Sequence, residues 1–254
     1  MTYRSKMAKL KPDPEKIPTH VAIIMDGNRR WAAARGLGPV DGHRQAATKA
    51  IEPIVEEAIR LGIKFVTFWA FSTENWRRDK VEIKGLMGIF RDVLKEKIEK
   101  LHEKGVRVNF LGDLSKFPKD IVERVLEGVE VTKNNGKITV TFALNYGGRE
   151  EILCAVKKLH EVIRDTGYAI RKLDEKTFSQ FLDTNGMPDP DLVIRTGGEY
   201  RLSGFLPWQS IYAELYFTPV LFPDFSPLEF DKAIFDYQRR NRRFGGGRFG
   251  NYKK

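Results

Sequence analysis

Five nearly continuous apolar runs, rich in β-branched and aromatic residues, recur along the chain: HVAIIM (20–25), FVTFWAF (65–71), VRVNFL (106–111), ITVTFAL (138–144) and DLVIR (191–195). A strand with one wet face alternates polar and apolar residues. Runs without that alternation are buried on both faces, as in a parallel sheet covered by helices on each side. ELYFTPV (214–220) is a sixth candidate, in which Pro219 has to lie at the end because it has no N–H for a ladder.

Helical patterns lie between these runs, which is what parallel neighbours require of their connections. In 44–61, Ile51, Ile54, Val55, Ala58 and Ile59 form one stripe, and Gly62 is a natural stop. In 82–104 the stripe is Leu86, Ile89, Phe90, Val93, Leu94, Ile98 and Leu101, stopped by Gly105. Two more helices are predicted at about 118–132 and 149–165. A last one opens at Ser226-Pro227-Leu228-Glu229, a capping box with proline at the first helical position, and runs to about Arg243. No repeat or linker interrupts the alternation. The expectation is one α/β domain over 18–245, with a mostly parallel central sheet of about six strands flanked by helices. Residues 1–17, lysine-rich and broken by Pro12 and Pro14, read as a flexible arm, and 246–254 as a basic, glycine-rich tail.

With 254 residues the chain has enough material for a substantial core. No run approaches the roughly 18–20 apolar residues of a membrane span, and the first residues have no apolar centre for a signal peptide. Together with the single Cys154, these features predict a cytoplasmic protein without a disulfide framework. The formal charge of +10 predicts an anionic partner: nucleic acid, anionic lipid or phosphorylated metabolites. Positive residues set singly beside glycines and strand ends favour small phosphates, and an exposed stripe favours nucleic acid.

In such sheets, ligands bind beyond the carboxyl ends of the strands. Those ends carry Asp26-Gly27-Asn28-Arg29-Arg30, Ser72-Thr73-Glu74-Asn75-Trp76, Asn145-Tyr146-Gly147-Gly148-Arg149 and Arg195-Thr196-Gly197-Gly198-Glu199. In MDGNRRW, a glycine lets the backbone approach an anion and arginines bind its oxygens bidentately. Asp26 would be repelled by a phosphate unless a cation lay between them, which points to Mg²⁺. A capping aspartate beside solvated arginines is the structural alternative. RTGGEYRLS (195–203), with Arg195, Arg201 and Ser203, is either a second phosphate cradle or an ordinary loop. Ser72 and Asn75 suit substrate orientation, with Phe71 and Trp76 as walls or plain core. His43 either serves a phosphate or is structural. The phosphate loops of nucleotide-binding proteins, zinc clusters and the serine-hydrolase elbow are all absent.

Taken in order, HVAIIMDGNRRWA, GHR, FSTENW, NYGGR, DLVIRTGGEYRLS and YAELYFTPVLFPDF resemble the cis-prenyltransferase family over about residues 18–245. The resemblance implies a hydrophobic tunnel in the α/β domain and an enzyme that adds isopentenyl diphosphate units to an allylic, farnesyl-type diphosphate. It implies a homodimer, Mg²⁺ as cofactor, no nucleic-acid partner and peripheral membrane association through the product. Asp26 becomes the essential carboxylate that holds the metal, with Glu214 as a second metal-site residue. The catalytic set is Asp26, His43, Ser72 and Asn75. Substrate binding falls to Gly27, Asn28, Arg29, Arg30, Trp31, Arg35, His43, Ser72, Thr73, Glu74, Asn75, Trp76, Arg78, Arg195, Arg201, Ser203 and Arg243, the last reaching the neighbouring subunit. Pro39 stands where many bacterial members carry a basic residue, and Arg35 is the expected substitute; Tyr200 replaces a histidine of some members. Ala70 is expected to line the tunnel and Ile138 its far end. A non-catalytic accessory subunit of the same family and a basic nucleic-acid-binding protein are the rival readings.

Overall fold

The computed structural model describes residues 12–167 and 170–240. Six strands form one sheet: β1 (His20–Ile24), β2 (Phe65–Ser72), β3 (Val106–Leu111), β4 (Ile138–Tyr146), β5 (Leu192–Arg195) and β6 (Glu214–Phe217). Their order is β3-β4-β2-β1-β5-β6 and every pairing is parallel. β6 ends before Pro219, as its missing N–H requires. The strands are covered on both sides. Val21 and Ile23 join Ile54, Phe68, Phe222, Phe230 and Ile234 in one cluster. Ala22 and Ile24 point the other way, toward Tyr146, Val193, Phe205 and Leu206.

The helices are α1 (Asn28–Ala33), α2 (Pro39–Gln45), α3 (Ile51–Leu61), α4 (Lys80–Glu103), α5 (Lys119–Thr132), α6 (Gly148–Thr166), α7 (Glu175–Ser179) and α8 (Pro227–Gln238). Among the described residues, no helix is long and apolar enough to cross a membrane. The stretch predicted as one helix from 44 begins earlier and is interrupted. A π-turn over Ala46–Ala50 joins α2 to α3, and the Ile51 N–H reaches back to the Ala46 carbonyl. Pro53 comes two residues later, and the widened turn opens the ladder where a proline can neither donate nor fit closely.

Two boundaries differ from expectation. The last helix ends at Gln238 rather than near Arg243, with the Arg239 and Arg240 N–H groups closing on the Asp236 and Tyr237 carbonyls. The end of the N-terminal arm is tied down: Pro14–Lys16 forms a 3-10 turn, and Gln238 accepts from the Asp13 N–H at 2.8 Å and donates to the Asp13 and Lys16 carbonyls. The rest of the arm, Arg243 and the 246–254 tail lie outside the described residues.

From β1 the chain passes to β2 on one side, and β5 is added on the other, so the strand order reverses between β1 and β5. Such a switch point opens a crevice at the carboxyl ends. Asp26 lies just beyond Ile24 there, beside Arg195, which Ile24 pairs with in register.

Candidate active site

Backbone geometry creates the first cluster. Gly27 has φ 103°, and a Cβ on it would lie 2.7 Å from the Leu221 side chain, so only glycine makes this turn. Thr196 Oγ1 accepts from the Asp26 N–H (3.0 Å) and donates to the Asp26 carbonyl (2.7 Å), which clamps the turn to the end of β5. The Asp26 carboxylate then meets two guanidinium groups: Arg195 donates to Oδ2 at 2.8 Å and Arg30 to Oδ1 at 3.1 Å. Arg195 is itself buried and held by the Arg201 carbonyl (2.6 Å) and Ser203 Oγ (2.8 Å). Ser203 sits at φ 53°, an uncommon conformation for a side-chain-bearing residue. Burial pushes the Asp26 carboxyl up, but the Arg195 hydrogen bond and the charges of Arg195 and Arg30 outweigh it, holding the group below the usual carboxylate range.

A second cationic cluster faces it. A Cβ on Gly42 would lie 1.9 Å from the Asn28 carbonyl oxygen, so glycine lets α2 touch α1 and sets His43 against Asn28. Arg78 donates to His43 Nε2 at 3.1 Å and to Glu82 Oε1 at 2.8 Å, while Arg29 lies 3.8 Å from the same carboxylate. Burial, then the charges of Arg78 and Arg29, pull the His43 pKa down to about 4. The imidazole is therefore neutral at pH 7, and because guanidinium only donates, Nε2 is its acceptor nitrogen. Asn28 Oδ1 is a buried acceptor with no protein partner here.

Both clusters open onto a cavity of about 500 Å³ that runs beneath α4. Asp26, Asn28, His43, Ser72, Glu74, Asn75, Arg78, Arg195 and Ser203 surround its mouth. Gly27, Arg29, Arg30 and Pro39 line an adjoining outer cleft. Inside, the walls become apolar, with Ala70, Leu86, Ile89, Phe90, Val93 and Leu101. The Ser72 N–H donates to Asn75 Oδ1 at 2.9 Å, fixing that amide at the end of β2.

Other expected residues are placed elsewhere. Trp31 donates to Asp224 (2.8 Å), and Arg35 stacks on Trp31 and pairs with Asp224 (3.2 Å), so Arg35 is engaged away from the cleft beside Pro39. Trp76 packs edge-on to Phe71 and Phe117 and donates to Asn145, in the core behind the cavity. Thr73 fills the space that a Cβ on Gly147 would need. The Arg201 side chain turns to Glu199, and only its carbonyl serves Arg195. Ile138 is buried in the main core and does not line the cavity. Glu214 stands at the opposite end of its strand: it pairs in register with Leu192, three residues before Arg195, and its carboxylate meets Arg240 at 3.0 Å. At about 3.3 Å per residue that is roughly 10 Å from the rim, so this chain does not bring Glu214 to Asp26. Among the described residues, no group of three or more His, Cys, Asp or Glu is arranged to hold a metal ion.

Sequence reasoning missed Glu82, the buried carboxylate that holds Arg78, Arg29 and His43 together. The signal was the spacing of Arg78 and Glu82, one helical turn apart. It missed Thr196 as well, for which no local pattern exists.

The chain resembles known proteins along nearly its whole length. The family model described as "Putative undecaprenyl diphosphate synthase" matches residues 24–245. An isoprenyl transferase of Clostridium perfringens is 48% identical over 232 residues, 91% of each chain. A ditrans,polycis-undecaprenyl-diphosphate synthase of Pasteurella multocida, described as specific for (2E,6E)-farnesyl diphosphate, is 44% identical over 92% of this chain and 97% of its own. Among solved structures, lavandulyl diphosphate synthase from Lavandula x intermedia, in complex with dimethylallyl diphosphate, superposes with a TM-score of 0.88 at 37% identity, covering 91% of this chain and 99% of its own.

Proposed function

The chain belongs to the undecaprenyl diphosphate synthase family of cis-prenyltransferases, and on that basis we propose that it extends a farnesyl-type allylic diphosphate with isopentenyl diphosphate units to a medium- or long-chain cis-polyprenyl diphosphate, using residues 18–245. One observation carries the reading: two cationic clusters, Arg195–Arg30 about Asp26 and Arg29–Arg78 about His43, meet at the mouth of a single apolar cavity. Two diphosphates and one growing hydrocarbon are what that arrangement accommodates.

The turn at Gly27, Asn28, Arg29 and Arg30, with Arg78 and neutral His43, receives the allylic diphosphate. Arg195 and Ser203 receive isopentenyl diphosphate. Mg²⁺ fits this site as an ion that arrives with diphosphate: Asp26 is an ionised, partly exposed carboxylate at the cavity mouth, and a hard cation that keeps several waters needs only one or two such ligands. Bound there, it would neutralise charge on the departing diphosphate. The fixed guanidinium groups stabilise the same developing charge without reorganising. The allylic C–O bond breaks, the terminal alkene carbon of isopentenyl diphosphate joins the allylic carbon, and one proton is lost. Asp26 is tied to two arginines, His43 Nε2 faces Arg78, and the Asn75 amide is no base. The departing diphosphate is the base that remains. Phe71, with its ring against Trp76 and Phe117, backs a wall that keeps water from the cationic carbon.

The working unit is a homodimer in this reading. β6 is an edge strand, and Tyr200, Ile211 and Tyr212 are large exposed side chains near it. Membrane association would come from the apolar product alone.

The test is incubation with farnesyl diphosphate, radiolabelled isopentenyl diphosphate and Mg²⁺, then product sizing. A ladder ending in products several units long is expected, abolished by EDTA and restored by Mg²⁺. Label remaining in unreacted isopentenyl diphosphate would refute the activity.

A further inference from the structure

The strand end Asn145-Tyr146-Gly147-Gly148-Arg149 takes no part in the chemistry above, yet the sheet is irregular there. Along β2 and β4, Trp69 pairs with Ala143, Phe71 with Leu144 and Ser72 with Tyr146. Ala70 is therefore left out of the ladder on β2 and Asn145 on β4, two bulges that together restore the register. Bulges re-aim side chains beside functional sites. Asn145 is 4% exposed and sits at φ 48°, in the left-handed region that asparagine tolerates better than most residues.

The bulge turns the Asn145 amide toward two partners. Oδ1 accepts from the Trp76 indole N–H at 2.8 Å, and Nδ2 donates to the Asp113 carbonyl at 2.8 Å. An indole N–H only donates and a carbonyl only accepts, so the partners fix which way the amide faces. Glycine would take the same backbone with less strain, and what asparagine adds is the grip on Trp76.

Trp76 belongs to the 3-10 turn Thr73–Arg77, which joins Ser72 to Arg78 and carries Asn75 at the cavity mouth. That turn is tethered at both faces. On the mouth side Arg78 reaches His43 and Glu82, and on the core side Trp76, wedged edge-on against Phe71 and Phe117, is held by Asn145. Arg195 and Ser203 lie across β1 on the β5 side and are fixed by each other and by the Arg201 carbonyl. Loosening the core-side tether thus disturbs one half of the mouth and spares the other. A displacement of about 1 Å in such a group can cost on the order of 10²-fold in rate.

Resting on the activity proposed above, we propose that Asn145 is a positioning residue: through Trp76 it sets the Ser72–Arg78 turn, and so the allylic half of the site, without touching either substrate.

The experiment measures initial incorporation of labelled isopentenyl diphosphate, varying each substrate in turn at fixed Mg²⁺, for wild type, Asn145→Gly, Trp76→Phe and the double variant. Asn145→Gly keeps the backbone and deletes the amide; Trp76→Phe keeps a packed ring and deletes the N–H. Each should lower kcat about tenfold or more. Each should also raise the KM for farnesyl diphosphate severalfold, while the KM for isopentenyl diphosphate stays within about twofold of wild type. The double variant should be no worse than Asn145→Gly, because one contact is removed either way. Trp76→Phe carries the same test if Asn145→Gly fails to fold. Wild-type kinetics in folded variants, equal rises in both KM values, or losses that multiply in the double variant overturn the positioning role and leave the elongation reading intact. A wild-type enzyme that incorporates no label overturns the elongation reading, and this role with it.

Discussion

Replacing Asp26 with asparagine keeps the shape of the side chain and removes its charge, and the surrounding distances set the size of the effect. Arg195 loses an ionised acceptor at 2.8 Å and Arg30 one at 3.1 Å, but the amide oxygen still accepts one hydrogen bond. The structural loss is then the difference between a charge-assisted and a neutral hydrogen bond, on the order of 1–2 kcal/mol. For a domain of this size that lowers Tm by about 2–8 °C. The catalytic loss is larger, because a preorganised group aimed at developing charge contributes about 10²–10³ in kcat. Binding changes with opposite signs in two conditions. Without metal, inorganic pyrophosphate should bind Asp26→Asn more tightly than wild type, since a repelling carboxylate has gone and two arginines are freed. With Mg²⁺ it should bind less tightly, since the protein's ligand for the ion has gone. Steady-state kinetics, thermal melts monitored by circular dichroism, and calorimetric titration of pyrophosphate with and without Mg²⁺ measure these quantities. A fall in kcat of less than about tenfold, or weaker pyrophosphate binding without metal, refutes the role given to Asp26.

Three further outcomes are expected. Ala70→Leu adds bulk to a close-packed cavity wall and should shorten the product by one or more units, read by the same product sizing; an unchanged ladder means the chain does not pass Ala70. Burial and the adjoining Glu57 push the Asp231 carboxyl up from 3.8 to about 7, so the fold holds a proton that the unfolded chain releases, and the stability this contributes is lost as pH rises from about 4 to 7. Asp231→Asn should therefore raise Tm relative to wild type at pH 8 but not at pH 4, and equal differences at both pH values would contradict this. Nearly inactive Asp26→Ala and Arg243→Ala proteins, mixed under conditions that exchange subunits, should regain activity if Arg243 serves the partner's site; no recovery despite proven exchange rules out the shared site.

The architecture was legible because burial of a parallel strand on both faces leaves a mark in consecutive residues. HVAIIM and ITVTFAL could not be half-exposed strands, and both proved interior. The rim was legible for a similar reason: polar motifs at strand ends become neighbours in any doubly covered parallel sheet. Asp26, Asn28, His43, Ser72, Asn75, Arg78, Arg195 and Ser203 were all named from sequence and all border one cavity.

What failed was pairing at a distance. Trp31 and Trp76 belong to motifs that supply site residues and Arg35 lies three residues beyond one, yet their partners are Asp224 and Asn145, 193, 189 and 69 positions away, and these draw them out of the lining. Glu214 opens the ELYFTPV run already in the sequence, and the register of β6 against β5 sets it level with Leu192, at the end of the sheet away from Arg195. Fold class, the edge of the sheet that carries the site and most of the chemistry there were readable from the residues alone, because hydrophobic period and turn residues are local properties. Which charges meet was left to the folded arrangement. Side-chain direction and strand register are settled by packing among distant segments, so Glu82 behind His43, and Glu52 with Lys97 across the α3–α4 seam, emerge only once the chain is folded.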